Sequence, residues 1–210
     1  MPEHVRDHSR PLCVELLTGA RLGGVIAARP IALVVLPGSV LWKLVLVLAG
    51  SALIALAAQV RIPLPFSPVP VTGQTFAVLL VAAALGRLGL ASVIAYLTEG
   101  AAGLPVFAGG ASGAAYLTGP TGGYLLGFAL AAAVVGSAAE RGWDRHLVTA
   151  LAAMFLGEVA IYACGLGWLA RFVPAERLLD AGLLPFIPGD LYKMVLAALA
   201  LPGAWWLVRR

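Results

Sequence analysis

Six long apolar runs, about residues 41–60, 74–86, 88–102, 124–139, 147–170 and 191–208, are separated by connections rich in charged, Gly and Pro residues. None of the runs alternates with period two, so each predicts a helix. Trp42 and Lys43, an aromatic and a cation suited to a water–lipid interface, open the first. RIPLPFSPVPVTG, with four prolines, breaks the chain before the second, and Gly86, Arg87 and Gly89 turn the second into the third. The connection from Leu104 to Gly123 carries no charge, whereas Glu140, Arg141, Asp144 and Arg145 mark an aqueous turn before the fifth run. At 1.5 Å rise per residue the second and third runs are near the short end of what crosses a hydrocarbon core of roughly 30 Å.

Composition turns these helices into membrane helices. Of 210 residues, 61% are hydrophobic and 11% charged, and mean hydropathy is +0.96. A soluble domain of this size does not need so much apolar surface, and the runs are too long and unalternating for barrel strands. The chain reads as an all-α integral membrane protein, with a tail at residues 1–40 and a six-helix membrane domain at 41–210. The tail lacks the ordered basic, apolar and small-residue regions of a signal peptide and reads as cytoplasmic or interfacial. His4 and His8 have helical ligand spacing but no third ligand, and no metal site is expected. Cys13 and Cys164 lie in the tail and in a span, so no disulfide is expected between them.

The net charge of +4 suggests topology rather than nucleic-acid binding. Arg6, Arg10, Arg21, Arg29, Lys43, Arg87, Arg141, Arg145, Arg209 and Arg210 fall on one side of the membrane, and Arg61, Arg171 and Arg177 on the other. Both termini are therefore expected in the cytoplasm. The 104–123 and 171–189 connections then lie outside, with Asp190 and Lys193 beneath them at the outer end of the last helix.

That acid and base carry the strongest candidate chemistry. Three residues apart, they share one helix face, and ionisable groups at membrane depth must pair or line a cavity. A compatible plainer role is a helix-end pair, Asp190 capping and Lys193 reaching the interface. The Gly-rich connection offers Phe107, Tyr116 and Tyr124 as flat apolar surface, or is simply a flexible connector. Gln74 and Thr75 beside Thr72, Glu99, and Glu158 with Tyr162 one turn later are further polar positions in apolar runs; each could equally be an interhelical hydrogen bond. Ser51, Ala55 and Ala58 form a small-residue stripe that serves internal packing or docking to another membrane protein. GPTGG at 119–123 lacks the lysine of a phosphate-binding loop, so no ATP hydrolysis is expected from this chain alone. No Ser, Cys or His in a span has a positioned base, so no catalytic residue is expected.

The segments IPLPFSPVPVTGQTF (62–76), GLPVFAGG (103–110), GPTGGYLLGF (119–128), IYACGLGWLA (161–170) and LPFIPGDLYK (184–193) resemble, in order and spacing, the motifs of the BioY family. Its members are biotin-specific substrate-binding (S) components of energy-coupling factor (ECF) transporters. The resemblance, over about residues 41–205, implies a six-transmembrane-helix bundle of the ECF S-component type in a bacterial or archaeal cell membrane, with biotin as transported ligand and no cofactor. It also implies a transmembrane coupling subunit and two ATPase subunits as partners, though some members occur without dedicated ones. The family's GD-x-x-K motif falls on Gly189, Asp190 and Lys193, which resemble its biotin-contacting acid and base. The bicyclic ring would stack on Phe107 or Tyr124, with Gln74, Glu99 and Tyr162 as second choices. Ser51, Ala55 and Ala58 lie in the helix that the family uses for docking, matching its alanine pattern only approximately. The 1–40 extension departs from the family's short start. A solitary biotin carrier and an S component for another small vitamin are the alternatives.

Overall fold

The computed structural model describes residues 30–32 and 39–208. The expected tail, with His4, His8, Cys13 and its arginines, lies almost wholly outside the described residues.

Among the described residues, six helices longer than ten residues form the bundle: α1 (Val40–Gln59), α2 (Gln74–Leu85), α3 (Arg87–Ala101), α5 (Gly122–Glu140), α6 (Leu147–Leu169) and α8 (Ile187–Val208). Two short helices, α4 (Ala114–Thr118) and α7 (Leu178–Gly182), lie in connections. The all-α class follows the hydropathy pattern, as does the order of the long helices among the described residues. Individually, α1, α5 and α6 are long and apolar enough to cross a membrane, and Ala175–Gly182 with Ile187–Trp206 adds a fourth crossing if that bent pair is one span. At 12 and 15 residues, α2 and α3 are shorter. Gly86, at φ +61°, supplies the left-handed turn between them that a side chain would resist.

α5 is the bundle's axis and packs on α2, α3 and α6. Two-thirds of its apolar window is buried, against 17% for α1 at the periphery. Its glycines set the spacing to α6: a Cβ on Gly127 would stand 2.8 Å from the Ile161 Cα, and one on Gly123 2.2 Å from the Trp168 Cβ. Backbones approach this closely only where side chains are missing, and in lipid such close contact holds helices together.

The structure adds a hairpin to the proline-rich link and corrects the start of the last helix. The proline-rich link is not irregular throughout: Arg61–Ile62 (β1) and Val71–Thr72 (β2) pair antiparallel, with Arg61 opposite Thr72. α8 begins at Ile187, a turn earlier than Leu191, with Pro188 in its first turn, where a missing N–H costs little. The small-residue stripe on α1 faces inward. Ser51 and Ala58 are fully buried and Ala55 packs on the core, while Leu48 and Leu56 point outward. Ser51 and Ala58 thus serve internal packing, while the rest of α1 stays largely exposed.

The connections at one end of the bundle are tied into a cap. Ser67 Oγ donates to the Ala181 carbonyl at 2.6 Å, Trp168 Nε1 to Gly119 at 3.0 Å, and Gln59 Nε2 to Phe107 at 3.3 Å. At the other end Arg87 pairs with Glu140 at 3.0 Å, and Trp205 Nε1 donates to Asp144 at 2.5 Å.

Candidate ligand-binding site

Directly beneath the cap, the start of α2, the start of α5, the later part of α6 and the first turns of α8 enclose a cleft. Asp190 is its charged floor. Helix register turns this residue, in the first turn of α8, away from lipid, and its side chain is 7% exposed. Its Oδ1 accepts from Thr75 Oγ1 at 2.9 Å and from Lys193 Nζ at 2.8 Å, and its Oδ2 accepts from the Tyr162 hydroxyl. Lys193, one turn on, also donates to the Thr72 carbonyl at 2.6 Å and to Thr75 Oγ1 at 3.2 Å. An ammonium has three protons, so these three acceptors saturate it. A carboxylate and an ammonium out of water are tolerable because every bond is made locally.

Aromatic and amide groups build the walls. Tyr124 is braced by its hydroxyl, which donates to the Gly182 carbonyl at 2.7 Å, and meets Tyr162 edge-on at 6.4 Å between centroids. Gln74 Nε2 donates to the Tyr96 hydroxyl at 2.5 Å while its Oε1 accepts from Thr72 Oγ1 at 3.0 Å, which fixes the orientation of the amide. Phe128, Ile161 and Phe186 add apolar surface. Counting its mouth, the cleft encloses about 510 Å³, but the centre of a water molecule can visit only about 40 Å³ of it. Drug-sized ligands occupy clefts of roughly 300–1,000 Å³, so the free space in this closed arrangement is well below what such a ligand fills.

Of the residues singled out from sequence, Asp190, Lys193, Gln74, Tyr124 and Tyr162 converge on this cleft. Phe107 and Glu99 do not line it. Phe107 is fully buried one layer back, its ring seated where a Gly100 side chain would be, and Tyr116 stacks on it at 5.0 Å and 15°. Of these two rings, Tyr116 is the one that faces the cleft. Glu99 accepts from Ser51 Oγ at 2.5 Å and belongs to the α1–α3 contact. Thr72 and Thr75 were legible only as neighbours of Gln74, and their bonds to the charged pair depend on tertiary approach.

Behind Tyr162 and Asp190, a groove opens between α6 and α8 in which the centre of a water molecule can visit about 480 Å³, against about 40 Å³ in the cleft. The groove is almost wholly apolar, so the polar recognition chemistry belongs to the cleft side. Glu158 borders it, 7% exposed, with neither carboxyl oxygen hydrogen-bonded among the described residues.

Residues 27–210 match the model of the BioY family. The chain belongs to the BioY family. Relatives agree over most of their length. The biotin transporter BioY of Thermotoga maritima is 44% identical over 151 residues, covering 71% of this chain and 87% of the relative. The probable biotin transporter BioY of Pyrococcus horikoshii is 40% identical over 149 residues, covering 70% and 86%. The bundle is also similar to a crystal structure of the S-component for biotin from an ECF-type ABC transporter. There the TM-score is 0.68 at 27% identity, covering 81% of this chain and 92% of that one. The BioY match spans all six long helices, including the GD-x-x-K segment that supplies the floor of the cleft.

Proposed function

We propose that this chain is the biotin-binding S component of an ECF-type importer and that the cleft under the cap is its binding site. The observation that carries the assignment of the site is the Asp190–Lys193 pair, buried at the floor of a cleft whose walls are aromatic. The ureido ring of biotin presents two N–H donors and one carbonyl acceptor. Asp190 accepts from the ring N–H groups as the Thr75 and Tyr162 hydroxyls give way, so the carboxylate exchanges one set of donors for another. Lys193 releases its longest bond, 3.2 Å to Thr75, and donates to the ureido carbonyl. Tyr116 and Tyr124 flank the bicyclic ring, and Gln74 sets the rim.

In this reading the cap faces outward and both termini lie in the cytoplasm, as the distribution of Arg and Lys favours. The partners are a transmembrane coupling subunit and two ATPase subunits. This chain has no phosphate-binding loop of its own, which supports placing ATP hydrolysis on those partners. Reorientation of the bundle drives import only if biotin binds the two orientations with different affinity.

Equilibrium binding of radiolabelled biotin to purified protein tests the site. Asp190→Asn removes a charge-assisted acceptor and should weaken binding by about 1.5–3 kcal/mol, roughly 10–150-fold. Unchanged affinity in a folded Asp190→Asn protein would take Asp190 out of the site.

A further inference from the structure

Beside the cleft, on the cap side, lies a second space in which the centre of a water molecule can visit about 360 Å³, and the two meet along Pro70, Ala108, Tyr116 and Thr121. Arg61 lines this vestibule. Its position follows from the hairpin register. On β1 it stands opposite Thr72, whose carbonyl accepts from Lys193, so one strand-to-strand step separates the backbone of Arg61 from the charged floor. The guanidinium lies against the backbone of Gly109, where a Cβ would be 2.3 Å from Cζ and from Nη1. Gly109 also has φ +71°, so both space and backbone conformation favour glycine there.

The other cations near the cap differ in their surroundings, and Arg177, exposed in the Ala175–Arg177 turn, lines neither space. Lys193 is saturated by three acceptors, and the Arg171 guanidinium stacks over Trp168 at 4.4 Å. Arg61 has no ion pair and no side-chain hydrogen bond among the described residues. The charged side chains lining cleft and vestibule together are Asp190, Lys193 and Arg61, a formal balance of +1. A neutral ligand leaves that charge uncompensated, whereas a monoanion balances it.

We infer that Arg61 receives the carboxylate of the ligand and is the residue that selects an acid over its neutral derivatives. The inference rests on the biotin reading above. With the ureido ring on Asp190 and Lys193, the aliphatic tail runs past Tyr116 into the vestibule, and its carboxylate meets a guanidinium whose planar fork suits bidentate pairing. Ring and tail are thus read by different cations.

The test compares biotin with biotin amide, identical at the ring but uncharged at the tail, by equilibrium binding to the unmodified protein, Arg61→Gln and Arg61→Lys. The unmodified protein should prefer the acid by tenfold or more. Arg61→Gln should lose at least tenfold for biotin and little for the amide, so the preference collapses, while Arg61→Lys keeps part of it. Added salt should weaken biotin binding to the unmodified protein more than to Arg61→Gln. An acid-over-amide preference that survives in Arg61→Gln overturns the inference and hands the carboxylate to Lys193, with the biotin reading intact. Failure of the unmodified protein to bind either compound overturns the biotin reading itself. Arg61 is exposed on a two-residue strand, so its replacement leaves the core untouched.

Discussion

Breaking the floor of the cleft from both sides, singly and together, measures how strongly its two charges depend on each other. Lys193→Met strips Asp190 of its counter-ion while keeping an unbranched side chain of similar reach, and Asp190→Asn does the converse with nearly unchanged shape. The side chains are 7% and 20% exposed and 2.8 Å apart, close to the buried limit, where removing one partner costs about 3–5 kcal/mol because the other charge stays behind. For a chain of this size about 2–4 °C accompanies each kcal/mol, so each single variant should melt about 6–20 °C lower. The double variant leaves no orphan charge and should lose no more than either single one, a coupling of about 3 kcal/mol or more. Thermal unfolding of the detergent-solubilised protein without biotin reads this directly. If the two losses add to within about 0.5 kcal/mol in the double variant, the side chains act independently and the satisfied pair described above is refuted.

Other variants probe the surroundings. Gly165→Ala would put a Cβ 2.4 Å from the Tyr124 ring, which its bond to Gly182 prevents from retreating; overpacking of about 1–3 kcal/mol should appear in melting, with weaker biotin binding beside it. A melting point and affinity equal to those of the unmodified protein would show that the wall yields freely. Glu158→Leu should raise stability by about 1–3 kcal/mol, since it removes a buried carboxyl with no hydrogen-bond partner among the described residues; a lower melting temperature would contradict this. Asp144, in the turn between α5 and α6, has its carboxyl pushed above the ordinary 3.8 by burial, against the opposing bond from Trp205 and the charge of Arg145. Between the unfolded and the raised folded value the folded protein holds more protons, so stability should fall as pH rises through that window. Asp144→Asn should flatten this slope in melting temperature against pH, and an unaltered slope would assign it to other groups.

The six helices could be read from the chain because lipid demands long apolar stretches and the charges punctuate them. Boundaries at Gln59, Gln74, Gly86 and Leu147 fell within about a residue for the same reason. Asp190 and Lys193 were visible because charge in an apolar run is costly, and that cost does not depend on knowing the fold. What escaped was direction. Glu99 and Asp190 look alike in sequence, but α3 turns Glu99 toward Ser51 on α1 while α8 turns Asp190 into the cleft. Phe107 and Tyr116 are both aromatics in a glycine-rich stretch, and only the close seat against Gly100 decides which is buried behind the other. The spacing of the small residues of α1 points first to internal packing, and α3 holds Ser51 through Glu99. The short hairpin left no alternating pattern because each strand has two residues.

The ammonium at the floor of the cleft also holds the Thr72 carbonyl, and Thr72 ends the strand on which the hairpin closes. Under the proposed function, a movement that lifts the hairpin also pulls on the nitrogen that holds the ligand, so opening the cleft and weakening its grip are coupled through one bond.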